Sequence, residues 1–440
     1  MATRQTPLRD RIEAGPRYRW YALGVLTAVY ASSHVDRQIM GILLEPIKHE
    51  LGATDTQMGF LLGLTFAIFY ATLGVPIAML ADRTNRRNII TAAISTWSVM
   101  TVACGYAGSF AQLALARVGV GVGEAGSSPP SHSIIADLFG PETRGTAMGI
   151  FALGVNIGLL LAYLVGGWVS EFYGWRTTFI VVGLPGLAIA ALVYLTTKEP
   201  ERGASDRARA AADRDAPSFS AVVRYMWQTR SIRHVVIGTS LAAFVGYGFV
   251  LWMPSFLIRS HGLSPSEVGV TLALMTGLFG GLGTFTAGRL TDVLARRDER
   301  WRVWVVAAAK GGYVPILVAA LLADDFWLAL VLYVVPAFLG GFYLAPTFAL
   351  IQSLVSVRMR ALASSLTLFI LNIIGLGLGP QLVGVLSDLL GPAYGQESLR
   401  MALAILAFLN LWCALHYALA ARTLTADLAN IASAIGEDRD

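Results

Sequence analysis

Runs of about twenty apolar residues, separated by short polar stretches, dominate the chain. A helix crossing a bilayer core needs about 20 such residues, because lipid offers the backbone no hydrogen-bond partner outside the helix. Twelve spans are predicted. The first six are Trp20–Leu44, Gln57–Leu80, Asn88–Ala107, Ala111–Ala136, Gly145–Ser170 and Thr177–Thr196. The second six are Val235–Ile258, Val268–Leu290, Val303–Leu322, Phe326–Leu350, Ala361–Leu386 and Leu399–Ala421. One long polar stretch, Lys198 to Arg233, divides them, and its charged, Ala-rich KEPERGASDRARAAADRDAP run reads as a linker that can carry surface helix. The expected organisation is a six-helix half over 1–197, a linker over 198–233 and a second six-helix half over 234–440.

Composition narrows the class. Hydrophobic residues make up 55% of the 440 residues and charged residues 14%, against about 25% charged in a soluble domain. Mean hydropathy is +0.61. Such a chain would precipitate in water, which excludes a soluble enzyme, a disordered scaffold and a nucleic-acid binder. Cys104 and Cys413 both lie in apolar runs, so no disulfide framework is expected. The head of the chain is short, polar and Arg-rich, unlike a cleavable signal. Of the 33 Lys and Arg residues, all but seven fall on the side of the termini and linker. Lys48, Arg176, Arg259 and Arg400 fall on the opposite side, and Arg37, Arg117 and Lys310 fall within spans. Basic loops stay cytoplasmic, so both termini are expected inside, with a bacterial cytoplasmic membrane as the setting.

The two halves repeat. Gly59 and Asp82 recur as Gly269 and Asp292 at a shift of 210, while Phe110, Pro130, Arg144 and Asn156 recur as Phe326, Pro346, Arg360 and Asn372 at a shift of 216. A six-residue insertion in the Arg296–Arg302 loop reconciles the two. Both copies start inside, so they are parallel repeats of six spans, an arrangement that places a substrate site between the halves near the midplane.

The loop after the second span reads AMLADRTNRR from Ala78 to Arg87, and its counterpart reads GRLTD from Gly288 to Asp292, followed by Arg296 and Arg297. Both loops resemble the facilitator loop signature of a small residue, an Asp four later and a basic cluster, which implies a gate latch: Asp82 and Asp292 can cap the next helix or pair with an Arg, and Arg83, Arg86 and Arg87 can anchor the loop. Arg86 and Arg87 fit ordinary positive-inside flanking equally well.

Inside the spans charge is scarce: Asp36, Arg37, Arg117, Glu124 and Lys310. Each costs roughly 2.5–3.5 kcal/mol at a span centre, so none is expected to face lipid unpaired. Asp36 and Arg37 point about 100° apart on their helix and can address different partners. Arg117 and Glu124, seven residues apart, share one face about 10 Å from each other. A long guanidinium at Arg37 can swing between Glu124 and Asp36, which makes Glu124 a candidate proton carrier. Arg117 reads as supporting charge. His34 and His132 titrate near neutrality when unperturbed, although a lone His is commonly a hydrogen-bonded bystander. Lys310 reads as structural. Gly119, Gly121 and Gly123 permit close helix approach, and Pro129 and Pro130 break the helix that follows.

The second half differs in kind. Gly340 stands at the repeat position of Glu124, and the seventh and tenth spans offer Tyr247, Trp252, Tyr333, Phe338, Phe342 and Tyr343 instead of charge. The expected cavity is therefore lined by Tyr30, Ser33, His34, Ser127 and Asn156 on one side. On the other stand Tyr247, Trp252, Phe338, Phe342 and Asn372, a pairing of walls that suits a charged head and an apolar tail.

Asp36-Arg37, ADRTNRR at 81–87, Thr96-Trp97-Ser98, RVGVGVGEA at 117–125 and IADLF at 135–139 together resemble the spinster family of the major facilitator superfamily. The match covers mainly the first five spans; the second half resembles facilitators in general. The resemblance implies an all-α integral membrane protein of major facilitator fold, with twelve transmembrane helices in two pseudo-symmetric halves. Family members move lipids such as sphingosine phosphate or lysophospholipids, and bacterial relatives are thought to be proton-coupled. It also implies Asp36, Arg37 and Glu124 as the coupling group and the inter-half cavity as the lipid site. The expectation is a monomeric, proton-coupled carrier of an amphiphilic lipid, working by alternating access among membrane lipids. No enzymatic activity, cofactor, metal or nucleic-acid partner is expected. A polyspecific drug/proton antiporter and a small organic-anion/proton symporter are the alternatives.

Overall fold

The computed structural model describes residues 15–81, 83–201 and 218–437, and the regular structure among them is helical. The first six helices are α1 Pro16–Leu51, α2 Asp55–Leu62, α3 Leu64–Ala81, α4 Arg86–Gly105, α5 Phe110–Glu124 and α6 Ser128–Leu138. Then come α7 Pro141–Thr196, α8 Phe219–Gln228, α9 Arg230–His261, α10 Pro265–Leu272, α11 Gly281–Ala295, α12 Trp301–Gly312 and α13 Val314–Leu322. The last six are α14 Phe326–Gly340, α15 Leu344–Ser353, α16 Arg360–Leu371, α17 Gly379–Tyr394, α18 Ser398–Ala407 and α19 Leu409–Glu437. Ala273–Gly280 and Asn372–Leu378 are π-helical stretches that bridge neighbouring helices.

Among the described residues eight helical stretches are long and apolar enough to cross a bilayer, and two of them, Glu142–Thr196 and Leu362–Ile431, each contain two of the predicted spans. In α7 the break between the paired spans is Gly174, whose φ of 80° only glycine adopts without strain. The first and fourth spans fall outside this set for physical reasons. α1 carries Asp36, Arg37, Glu45 and Lys48, and the fourth span is divided between α5 and α6. Pro129 and Pro130 stand in the first turn of α6, where a missing N–H costs no helical bond.

Local chemistry reproduces the repeat in detail. α2 and α10 occupy 55–62 and 265–272, in the register given by the shift of 210. Each opens with a capping box, Thr54 with Gln57 and Ser264 with Glu267, at equivalent positions. At the shift of 216, α5 and α14 share both ends, and the breaks at 125–127 and 341–343 coincide. Arg144 Nη2 donates to the Ala136 carbonyl at 3.1 Å, and its counterpart Arg360 donates from Nε to the Gln352 carbonyl at 3.0 Å. A helix C-terminus leaves such carbonyls without intrahelical donors, and arginine supplies them.

Packing defines two compact units, one of residues 1–39 with 68–215 and one of 40–67 with 216–440. In the first, α4 packs against α5 and α7 through glycines: a Cβ on Gly123 would lie 2.6 Å from the Trp97 nitrogen, and one on Gly183 would lie 3.0 Å from the Ser98 carbonyl. In the second, residues 40–67 join the second-half helices through the same device. A Cβ on Gly41 would stand 3.0 Å from the Leu251 carbonyl and one on Gly59 2.8 Å from the Pro380 carbonyl. Lipid supplies no hydrophobic drive between helices, so close backbone approach through small residues is how such bundles gain contact. A core of Val235, Ala242, Val306, Ile351, Cys413 and Tyr417 lies between α9, α12, α15 and α19.

Candidate functional site

The charges of the first unit form a buried cluster. Arg37 Nε donates to Glu124 Oε2 at 2.6 Å, and the Glu124 side chain has no exposure at all. Its second oxygen, Oε1, is buried without a hydrogen-bond donor among the described residues. The Arg37 guanidinium also lies over the Tyr70 ring, 4.6 Å from its centroid. Asp36 turns elsewhere: Thr101 Oγ1 donates to its Oδ1 at 2.6 Å, while Arg117 Nη1 donates to its main-chain carbonyl at 3.1 Å. The divergence expected of neighbouring helical residues is thus realised, and Arg117 sits buried beneath Asp36.

The backbone explains why Glu124 is there. It is the last residue of α5, held by Ala125 N–H to the Gly121 and Gly123 carbonyls before the chain turns into α6. A carboxylate at a helix C-terminus meets the negative end of the helix dipole, so the guanidinium of Arg37 is the compensating charge. Gly119 and Gly123 seat α5 against Met100, Trp97 and Ala93 of α4, which buries the carboxylate. Tyr70 and Thr101 belong to this group, and as uncharged residues they carried no signal that marked them.

The predicted cavity residues separate by unit. In the first, Tyr30 stacks on Phe151 with centroids 4.4 Å apart, and His34 meets the Tyr30 ring edge-on at 4.5 Å. His34 Nδ1 lies 2.9 Å from the Tyr30 carbonyl, and Ser33 donates to the same oxygen at 2.9 Å. Ser127 is buried and donates to the Glu124 carbonyl at 3.1 Å, which ties the helix break to the ion pair. Asn156 is exposed. In the second unit Trp252 is fully buried and its indole N–H donates to the Pro380 carbonyl at 2.9 Å. Phe338 and Phe342 contact each other at 5.5 Å, with Phe342 buried. Tyr247 and Asn372 are half-buried, and Asn372 opens the π-helical stretch. Lys310 is buried too: its Nζ donates to the Gly340 carbonyl at 2.9 Å and lies 4.6 Å from the Tyr343 ring centroid.

Of the gate-loop residues, Asp82 lies outside the described residues. Arg83 and Asp292 are exposed. Arg86 is not simple flanking charge. Buried, it donates to Asp137 Oδ2 at 2.5 Å, Glu199 Oε1 at 2.6 Å, Ser133 Oγ at 2.7 Å and the Pro200 carbonyl at 3.1 Å. The Arg87 amide adds a bond to Glu199 at 3.1 Å.

One cluster was not anticipated. Arg259, read from sequence as outside charge, grips Asp55 with two bonds of 2.7 Å and Glu45 at 2.8 Å. Lys48 reaches Asp55 at 2.6 Å, Ser387 donates to it at 2.6 Å, and Asp388 accepts the Asp55 and Thr56 amides at the start of α2.

Comparison with known proteins agrees with this architecture. The family profile described as Major Facilitator Superfamily matches residues 26–380. An MFS-type efflux pump of Mycolicibacterium smegmatis is 37% identical over 94% of this chain and 95% of its own. A probable L-galactonate transporter of Escherichia coli is 28% identical over 64% and 61%. Among solved structures, a bacterial homologue of the human lysosomal transporter spinster, inward-facing and unoccupied, superposes with a TM-score of 0.87. It is 32% identical, covering 94% of this chain and 99% of that one. The chain is therefore a multi-pass membrane transporter rather than an enzyme, and it belongs to the major facilitator superfamily as a spinster-type member.

Proposed function

We propose that this transporter couples proton movement to the passage of an amphiphilic, lysophospholipid- or sphingolipid-like substrate by alternating access of its two six-span halves, 1–197 and 234–440. The observation that carries the reading is Glu124: fully buried, paired to Arg37 through one oxygen only, with the other oxygen left to receive a proton. The Arg37–Glu124 pair is the deprotonated arm of the cycle. Protonation removes the charge that holds the guanidinium, and Arg37 turns to Asp36 or to the anionic head of the substrate. A proton biases the cycle only by binding one opening more tightly than the other, and the Arg37 contact supplies that difference. The polar set around Tyr30, Ser33 and His34 takes the head, and the aromatic set around Tyr247 and Phe338 takes the tail. A monomer with both termini on the cytoplasmic side of a bacterial inner membrane completes the reading.

The test is flux in proteoliposomes under an imposed pH gradient, across lysolipids of increasing chain length and small carboxylates. Flux that rises with chain length supports the lipid reading; flux confined to sugar acids overturns it. In Glu124→Gln, gradient-driven flux is expected to fall at least tenfold, with exchange at equal pH retained. Undiminished gradient-driven flux in that variant would refute the proton role. The Mycolicibacterium relative favours a second reading, efflux of varied apolar compounds by the same proton cycle. Competition by structurally unrelated drugs at concentrations matching the lysolipids would select it.

A further inference from the structure

α8 follows the linker and leads into α9, and it has two apolar faces. Val222 and Met226 are buried in the core of the second unit. Phe219, Val223 and Trp227, spaced four apart and so on one stripe, are 62%, 42% and 64% exposed. Arg224 and Arg230 are exposed beside that stripe. An apolar stripe flanked by arginines is the signature of a helix lying in the headgroup region of a bilayer. Between α8, α9 and α16 lies an open recess, lined by Met226, Val236, Ile237, Leu366 and Ile370 together with Val223 and Trp227 of the stripe. Its one polar lining residue is Arg233, stacked against Trp227 with its guanidinium 5.7 Å from the ring centroid. Among the described residues the Arg233 side chain has no hydrogen bond or ion pair with protein, so its charge is open to an external anion. Arg233 also stands two residues before the predicted start of the seventh span, at headgroup depth.

From this geometry we infer that the recess holds one acyl chain of an anionic phospholipid from the surrounding leaflet, with its phosphate on Arg233. Charge complementarity selects the headgroup, and the apolar lining selects the chain. This resident lipid site is separate from the transport cluster around Glu124 and does not depend on the identity of the cargo.

Photolabelling of the full-length transporter in nanodiscs tests it, using phosphatidylglycerol or phosphatidylcholine that carries a diazirine on the acyl chain. The expected result is labelling of residues 223–237 at least fivefold higher with phosphatidylglycerol. Arg233→Gln should remove the headgroup preference, and Ile237→Trp, which fills the recess, should lower labelling by both lipids. Labelling of α11, where Phe285 is 70% exposed, serves as the reference and should not change. Equal labelling by the two lipids in the unmodified protein overturns the assignment. So does unchanged labelling in Ile237→Trp, or a fall at α11 in parallel with that at 223–237.

Discussion

Glu124 and Gly340 end equivalent helices, and each copy brings a cation to that point but meets it with a different acceptor. In the first, a carboxylate meets a guanidinium at 2.6 Å. In the second, a bare backbone carbonyl takes the Lys310 ammonium, with Tyr343 and Tyr313 rings at 4.6 and 5.5 Å. Carbonyl dipoles and aromatic faces offset less of the cost of burying a cation than a carboxylate does. Lys310→Met is therefore expected to fold with an equal or higher thermal midpoint and to keep the pH response of transport, whereas Glu124→Gln loses that response. A lower midpoint for Lys310→Met would instead make the ammonium a brace for the break at 341–343.

At the scale of the helix, what decides tolerance is whether a glycine faces backbone or a flexible side chain. A Cβ on Gly123 would stand 2.6 Å from the Trp97 main-chain nitrogen, so α4 and α5 would have to part. One on Gly119 would clash only with Met100 Cγ and Sδ, which can swing away, while Met100 Cβ at 3.4 Å is in ordinary contact, and one on Gly340 would meet nothing within 4 Å. Gly123→Ala is expected to cost about 1–3 kcal/mol and to impair transport, while Gly119→Ala and Gly340→Ala leave thermal stability nearly unchanged; equal shifts for all three would contradict this packing. The same scale marks what was legible from sequence. The bend after Glu124 and the repeat were legible, because Pro129-Pro130 and the recurring pairs such as Arg144 and Arg360 can be read along the chain; the capping boxes of Thr54 with Gln57 and Ser264 with Glu267 emerge only in the folded helices. The Arg37–Glu124 partnership was legible because intramembrane charge is scarce and each ion must find another. Arg86 was ambiguous, since a buried anchor and a flanking cation look alike until Asp137 and Glu199 are placed beside it. The Arg259 cluster was invisible, because its members come from residues 45, 48, 55, 259, 387 and 388 and meet only in the folded chain.

That cluster shapes behaviour at the scale of the whole molecule. Residues 40–67 belong to the first half by repeat, yet they pack within the second compact unit. The bidentate pair of 2.7 Å bonds from Arg259 to Asp55, the Lys48 contact and the Asp388 cap on α2 hold them there. The proposed alternating access needs a state in which a substrate path on the Lys48 side is open, and releasing residues 40–67 from the second-half helices is the direct way to make it. The free energy of the clamp then enters the balance between the two states, since an interaction shifts an equilibrium only by its difference between them. Losing a hydrogen bond to a charged group costs about 1.5–3 kcal/mol in the state that contains it, and leaves the unclamped state untouched. Asp55→Asn keeps the shape and the Ser387 contact while cancelling the charge; Arg259→Lys keeps the charge while losing the paired bonds. Both are expected to favour the open state by about ten- to hundredfold. A Gln381→Cys reporter, half-buried next to Thr56, reads this as faster labelling by an impermeant maleimide from the Lys48 side. If labelling is as slow in Asp55→Asn as in the reporter alone, the cluster is a static brace, and the latch that sets the cycle lies elsewhere.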